Sequence, residues 1–278
     1  MKIKLYHYGR GIIFFVFILS FQITFSQQKQ NMNPVETKII DNKLTVYLGG
    51  GGNSGILVTD SAIVVIDTKT GTDAENLYNL AKEKAGGKKI IVINTHYHGD
   101  HSKGNMFYKG SRIYIGNYDK SFLAKNMDRE NMPTDFVARD LKLNLGDETV
   151  QIYNLGQAHT WDDVIVYLVN RRVVFTGDLV FNRINPVLKK ESGANAESWS
   201  LALNAILLGW EISTVVPGHG AVGTKDIIIP MREYLDDMQD AVAHPEKADK
   251  LKSKYKSWVV IPDMTSPEKT MEYIRESK

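Results

Sequence analysis

Cysteine is absent from all 278 residues of the chain. That removes structural disulfides, thiolate metal ligands and a lipid-modified N-terminal cysteine from consideration. An excess of either charge is missing too, with 34 Lys and Arg against 32 Asp and Glu. Nothing here is basic enough to suggest nucleic acid, and the lysine-rich run from Lys250 to Lys256 reads as a solvated face. Long apolar runs are also scarce. The most prominent, Gly11 to Phe25, follows Lys2, Lys4 and Arg10 with no acidic residue before it, and ends in Thr24-Phe25-Ser26. It falls short of the roughly 20 residues a spanning helix needs, so a secretory signal peptide over 1–26 is expected rather than a retained anchor. The expected product, 27–278, is periplasmic or secreted, makes no stable membrane insertion and is long enough for one sizeable domain. Without the three N-terminal basic residues its charge falls from +2 to about −1.

Histidine is scarce as well, with seven in the chain, and this makes its distribution informative. Three stand in Thr95-His96-Tyr97-His98-Gly99-Asp100-His101. Imidazole and carboxylate are the side chains that ligate zinc and related divalent ions. The run follows the apolar segment Ile90-Ile91-Val92-Ile93, which reads as a buried strand, so these ligands sit on the turn leaving it. Further candidates occur in equivalent settings. His159 lies between two strand-like runs, Asp178 follows Val173-Val174-Phe175-Thr176-Gly177, and His219 follows Thr214-Val215-Val216-Pro217-Gly218. Groups gathered from several strand ends at one sheet edge are a common way to build a site. No serine sits in a Gly-x-Ser-x-Gly setting, and water attack at a metal centre does not need one. His7 and His244 fall outside the set.

The periodicity agrees with layered α/β packing. Strands are expected over Lys43–Leu48, Gly55–Val58, Ala62–Ile66, Arg112–Ile115, Leu141–Leu145, Thr149–Leu155, Val164–Val169 and Val173–Phe175. A capping box at Thr72-Asp73-Ala74-Glu75 opens a helix that Gly86-Gly87 ends. Other helices are read over Asn117–Asn126, around Trp199–Ile206, and from Pro230 to Val242. The glycine patch Gly49–Gly52 suits either a flexible loop over the site or a hairpin connection.

Taken in order, His96-Tyr97-His98-Gly99-Asp100-His101, Gly156…His159-Thr160, Thr176-Gly177-Asp178-Leu179-Val180-Phe181 and Pro217-Gly218-His219-Gly220 resemble the motif set of the metallo-β-lactamase superfamily. Asp67, closing Val64-Val65-Ile66-Asp67-Thr68, resembles the family's first motif, an aspartate that supports the metal loop. The resemblance spans about residues 35–242, leaving 243–278 as a C-terminal extension of a single domain. It implies an α/β fold, the four-layer αβ/βα sandwich. It further implies two Zn2+ ions, one on His96, His98 and His159, the other on Asp100, His101 and His219, with Asp178 bridging. Iron and manganese stay open. Asp100 would also orient a metal-bridging hydroxide, making it the catalytic side chain.

Substrate class is where the branches diverge. In the β-lactamase branch with a cysteine ligand, cysteine takes the Asp178 position and a lysine three residues later holds the antibiotic's carboxylate; here Phe181 stands there. The Asp178 segment is closer to the glyoxalase II and thioesterase-like branch and to periplasmic relatives of quinoprotein systems. The expected activity is therefore hydrolysis of a small-molecule carbonyl ester, thioester or lactone. β-Lactam hydrolysis, with Lys189 or Lys190 as the carboxylate contact, and a mononuclear iron persulfide dioxygenase are the alternatives. Phe181, Trp199, Trp210 and the Trp258-Val259-Val260 run are candidate apolar walls for the cleft.

Overall fold

A computed structural model describes residues 36–277; the expected signal peptide over 1–26 lies outside the described residues. Two sheets account for the strands. The first runs β1 (Glu36–Ile39), β2 (Leu44–Leu48), β3 (Ser54–Val58) and β4 (Ala62–Ile66) as antiparallel neighbours. After helix α1 (Gly71–Ala85) it continues in parallel with β5 (Lys89–Ile93). The one-turn α2 (Gly99–Ser102) then precedes β6 (Arg112–Gly116), and α3 (Lys120–Asn126) precedes β7 (Asp135–Val137), both strands again parallel. The second sheet is a meander of β8 (Asp140–Asn144), β9 (Thr149–Gly156), β10 (Asp163–Leu168) and β11 (Val173–Phe181). Helix α4 (Ala196–Gly209) carries the chain to β12 (Thr214–His219), which pairs parallel to β11.

Why these sheets face each other is visible in their side chains. Leu44, Val46, Val64, Ile66 and Ile93 of the first sheet share one buried cluster with Val150, Ile152, Val164, Val166 and Phe175 of the second. The opposite face of the first sheet, through Ile56, Ile63, Val65 and Val92, buries Leu77 and Ala81 of α1. The outer face of the second buries α4 and α5 (Ile228–Ala243), through Trp199, Leu203, Met231 and Leu235. The expected four-layer αβ/βα sandwich is present, each interface being apolar area removed from water.

Local departures from the sequence reading have local causes. Helix α1 begins at Gly71 with Thr70 as N-cap and no side-chain cap bond, so Thr72 lies inside the first turn and its capping box does not form. Gly86 ends the helix at φ 54°, the left-handed conformation glycine adopts without steric penalty. Helix α3 starts three residues later than expected because Asp119 caps it through the amides of Ser121 and Phe122. Strand β11 runs on past Phe175 to Phe181, which puts Asp178 within it. Beyond α5 the chain adds α6 (Ala248–Lys254) and α7 (Pro267–Glu276), and Met271 and Ile274 of α7 join the core formed by α4 and α5. No helix of the described residues is long and apolar enough to cross a membrane.

Candidate metal centre

All seven residues singled out in the sequence meet at one edge of the two sheets. Their possible ligand atoms form two groups, each within 4.8 Å: His96, His98, His159 and Asp178, then Asp100, His101 and His219. His98 turns its Nδ1 inward, 3.1 Å from His96 Nε2 and 3.0 Å from His159 Nε2. Ligand atoms around a tetrahedral ion with bonds of about 2.05 Å lie roughly 3.3 Å apart, so this spacing suits a single ion. Asp178 stands between the groups. Its Oδ2 lies 3.4 Å from His159 Nε2 and 3.8 Å from His96 Nε2, while Oδ1 lies 3.0 Å from His101 Nε2 and 3.3 Å from His219 Nε2. Asp100 Oδ2 completes the second group at 3.3 Å from His219 Nε2.

Whether these donors suit a cation can be tested on the atoms themselves. His101 Nε2 and Asp178 Oδ1 are both buried and have no hydrogen-bond partner among the described residues, although they face each other. Orphaned buried polar atoms are expensive, and one divalent cation would satisfy both. The tautomer agrees. His101 Nδ1 meets Asp67 Oδ2 at 2.8 Å, so the ring donates there, and Nε2 is the nitrogen that would give a lone pair to a cation on losing its proton. Asp67 in turn accepts from the amide and hydroxyl of Thr95, each at 2.8 Å, which ties the end of β4 to the ligand turn after β5.

Electrostatics divide the centre in two. Burial pushes His98 down to about 4 and His159 to about 3, and holds His96 well below the usual imidazole range. These three are neutral and ready to ligate. For His101 and His219 burial works against charge too, but Asp178 and Asp100 outweigh it, lifting His101 well above its ordinary value and His219 to about 9. Those imidazolium groups hold the fully buried Asp178 well below the carboxylate range, against its own desolvation.

Two glycines are demanded by close approach. A Cβ on Gly218 would lie 2.0 Å from Asp178 Oδ1, and one on Gly52 would lie 2.2 Å from His101 Cε1. The Gly49–Gly52 segment is thus both the link between β2 and β3 and a wall of the centre. Because Asp67 pins His101, Gly52→Ala is expected to empty the half formed by Asp100, His101 and His219. Metal analysis should show about one ion per chain and denaturation a loss of about 1–3 kcal/mol from overpacking. Wild-type metal content would contradict this account.

Two contributors carried no signal in the sequence. Ser192 Oγ lies 3.0 Å from His98 Nε2 and 2.8 Å from Tyr97 OH. Lys69, fully buried, donates from Nζ to the carbonyls of Tyr47, Gly49 and Gly52 at 3.0, 2.5 and 2.9 Å, so it clamps the glycine wall. Burial lowers its pKa to about 8. The aromatic walls expected from sequence are elsewhere. Phe181 is buried, its ring stacked 5.1 Å from that of His219. Trp199 is buried under His159, and Trp210 packs on Tyr153. Trp258 stacks on Tyr234 of α5. These rings support the centre or the core and do not line an open cleft.

A family model described as the metallo-beta-lactamase superfamily matches residues 47–219. The chain belongs to the metallo-β-lactamase superfamily. Among curated relatives, metallo-β-lactamase IND-1 of Chryseobacterium indologenes is 27% identical over 192 residues, covering 65% of this chain and 80% of the relative. The type 2 enzyme of Elizabethkingia meningoseptica is 28% identical over 172 residues, covering 60% and 68%. Among solved structures, a metallo-β-lactamase from Pontibacter korlensis superposes with a TM-score of 0.64 at 23% identity, covering 73% of this chain and 99% of that one. This likeness shows the shared fold. The superfamily's homologues bind metal ions, and the His/Asp group at the sheet edge is where this metallo-β-lactamase-fold chain could bind them.

Proposed function

We propose that the protein is an exported dinuclear zinc hydrolase acting on a small-molecule carbonyl ester, thioester or lactone. The observation that carries the reading is Asp178, whose two oxygens face two separate sets of imidazole nitrogens. His96, His98 and His159 would hold one ion, Asp100, His101 and His219 the other, with Asp178 shared. Imidazole with carboxylate suits zinc, and iron or manganese accept the same donors. Two such ions, when bound, supply Lewis-acid polarisation of a carbonyl and a water that ionises near neutrality. The rest falls to side chains of the chain. His98, Asp100 and His219 are the ligands that keep contact with solvent, so substrate enters from their side. Asp100, on that open side, is placed to accept a hydrogen bond from the attacking water and orient it. Lys69 and Ser192 keep the glycine wall and His98 in place.

Substrate choice rests on groups beyond the ligands. Phe181 is buried where a cationic anchor would be wanted, so β11 offers no ammonium to a substrate carboxylate. A missing ion pair costs about 1.5–3 kcal/mol, roughly ten- to a hundredfold in kcat/KM. β-Lactam hydrolysis is the second reading, favoured by the positive charge of Lys189, which acts on His98 from the 182–195 loop, and by the names of the curated relatives. A panel of nitrocefin, penicillins, carbapenems, thioesters, lactones and aryl esters decides the order. Esters, thioesters or lactones are expected to lead by at least about tenfold, and a leading β-lactam would reverse the assignment. About two zincs per chain support the hydrolase, whereas one iron would point to a persulfide dioxygenase. Export rests on the basic and apolar N-terminal residues. N-terminal sequencing of the protein from its host should begin at or near Gln27; an intact Met1 in the membrane fraction would mean an anchor.

A further inference from the structure

The loop 182–195 joins the strand bearing Asp178 to α4, and its front touches the metal centre through Ser192, which meets His98 Nε2 at 3.0 Å. Its back is held by a part of the chain that the family match, ending at residue 219, does not include. At one end, Val259 pairs with Ile184 in an isolated parallel bridge. The Val259 amide donates to Arg183 O at 2.9 Å, and Val259 O accepts from the amide and side chain of Asn185 at 2.9 and 3.1 Å. That segment is anchored in turn, since Tyr255 and Trp258 pack around Tyr234 of α5 with ring centroids 4.8–5.1 Å apart. At the loop's other end, Tyr273 of α7 donates its hydroxyl to Ala194 O at 2.5 Å. Ala194 is two residues from Ser192.

We propose that the C-terminal segment 255–276 is a brace for the metal centre, holding the 182–195 loop from behind so that Ser192 fixes the ring plane of His98. Tyr273 and Asn185 are positioning residues that act through Ser192. A metal-ligating histidine depends on the partner of its second nitrogen for orientation, and losing that partner typically weakens metal binding by about 10–100-fold. Without the brace the loop has its own turns, the bonds of Asn182 to His219 O and Ala221 O at its start, and those from Gln157 Nε2 to Gly193 O and from Asn195 N to Ala158 O at its end, each 2.8–2.9 Å. Those contacts hold the front of the loop, Tyr97 OH meeting Ser192 Oγ at 2.8 Å, but leave its backbone at 183–185 and 194 without the partners that set its distance from His98.

The inference rests on the metal reading above, and the test separates the two. Tyr273→Phe, Asn185→Ala, Ser192→Ala, Ser192→Thr and the double variant Tyr273→Phe/Ser192→Ala are titrated with cobalt(II), following its absorption. In parallel, the metal-free proteins are followed by amide hydrogen exchange. Tyr273→Phe and Asn185→Ala are each expected to speed exchange in 182–195 and to weaken cobalt binding by about tenfold. In the Ser192→Ala background Tyr273→Phe should weaken it no further, the signature of action along one path, while Ser192→Thr, which keeps the hydroxyl, should bind as the wild type does. Wild-type exchange and affinity in both brace variants would overturn the proposal. So would additive losses in the double variant, which would mean general destabilisation. Should the wild type bind no cobalt, the metal reading falls, and exchange in the loop alone decides the brace.

Discussion

Replacing Asp178 with asparagine is expected to leave the fold intact, to lower metal content from about two ions to one, and to cut turnover by about two to three orders of magnitude. The carboxylate is buried among four imidazoles, with Oδ1 toward His101 and His219 and Oδ2 toward His96 and His159. An amide keeps the shape but turns one acceptor into a donor aimed at ring nitrogens, and removes the negative charge that offsets two divalent ions. Removing one partner of a buried charge pair costs about 3–5 kcal/mol, or roughly 10²–10³ and more in a rate that depends on it. The half on the Asp100 side should lose its ion first. It keeps one carboxylate and two histidines, and with Asp178 gone the charge of His101 is supported by Asp100 and Asp67 and that of His219 by Asp100. Metal analysis, circular dichroism and the steady-state rate on the preferred substrate check the three parts. Unchanged stoichiometry with an unchanged rate would remove the bridging role.

The candidate ligands were legible because their chemistry is carried by scarce residue types. Seven histidines can be sorted one by one, and the five in the centre each follow an apolar run or lie between two. The layered fold was legible for a related reason, since Ala62–Ile66 and Ile90–Ile93 are buried almost throughout and read as continuous apolar runs. What stayed hidden depends on distance along the chain. Ser192 meets a histidine 94 positions away, and Lys69 reaches the carbonyl of Gly52 across 17; neither serine nor lysine announces its partner in sequence. Apolar residues failed in the opposite direction. Phe181, Trp199, Trp210 and Trp258 are equally suited to a cleft wall and a core, and only burial distinguishes the two. Short or polar elements were missed for want of a period: β1 is exposed at all four positions, and β7 has three residues.

Stripping the protein of metal with a chelator is expected to lower its melting temperature by roughly 15–30 °C and to leave a stability maximum near pH 6.5. A ligand that binds only the folded state at 1,000 times its Kd adds about 4 kcal/mol. Two such sites in a chain of this size correspond to that shift, at roughly 2–4 °C per kcal/mol. The pH dependence follows from the ligands. His98 and His159 are held by burial at about 4 and about 3, and His96 is held low in the same way, against an ordinary value of 6.5. As pH falls below 6.5 the unfolded chain takes up protons these three refuse, so stability is lost on acidification. Asp163, buried and pushed up to about 7, opposes this as a single group and is outweighed. His101 and His219 have the reverse sign. Their folded values lie above 6.5, about 9 for His219, so their contribution is complete below 6.5 and is lost as pH rises through the folded values. Divalent ions compete for the same nitrogens, so metal uptake at pH 7 should release protons from His101 and His219, and affinity should rise with pH. Urea denaturation of chelated and zinc-reloaded protein from pH 5 to 8, with proton release followed by calorimetry in two buffers, measures each part. A chelated protein as stable as the reloaded one, or flat across that range, would show that these seven side chains are not balanced around bound metal.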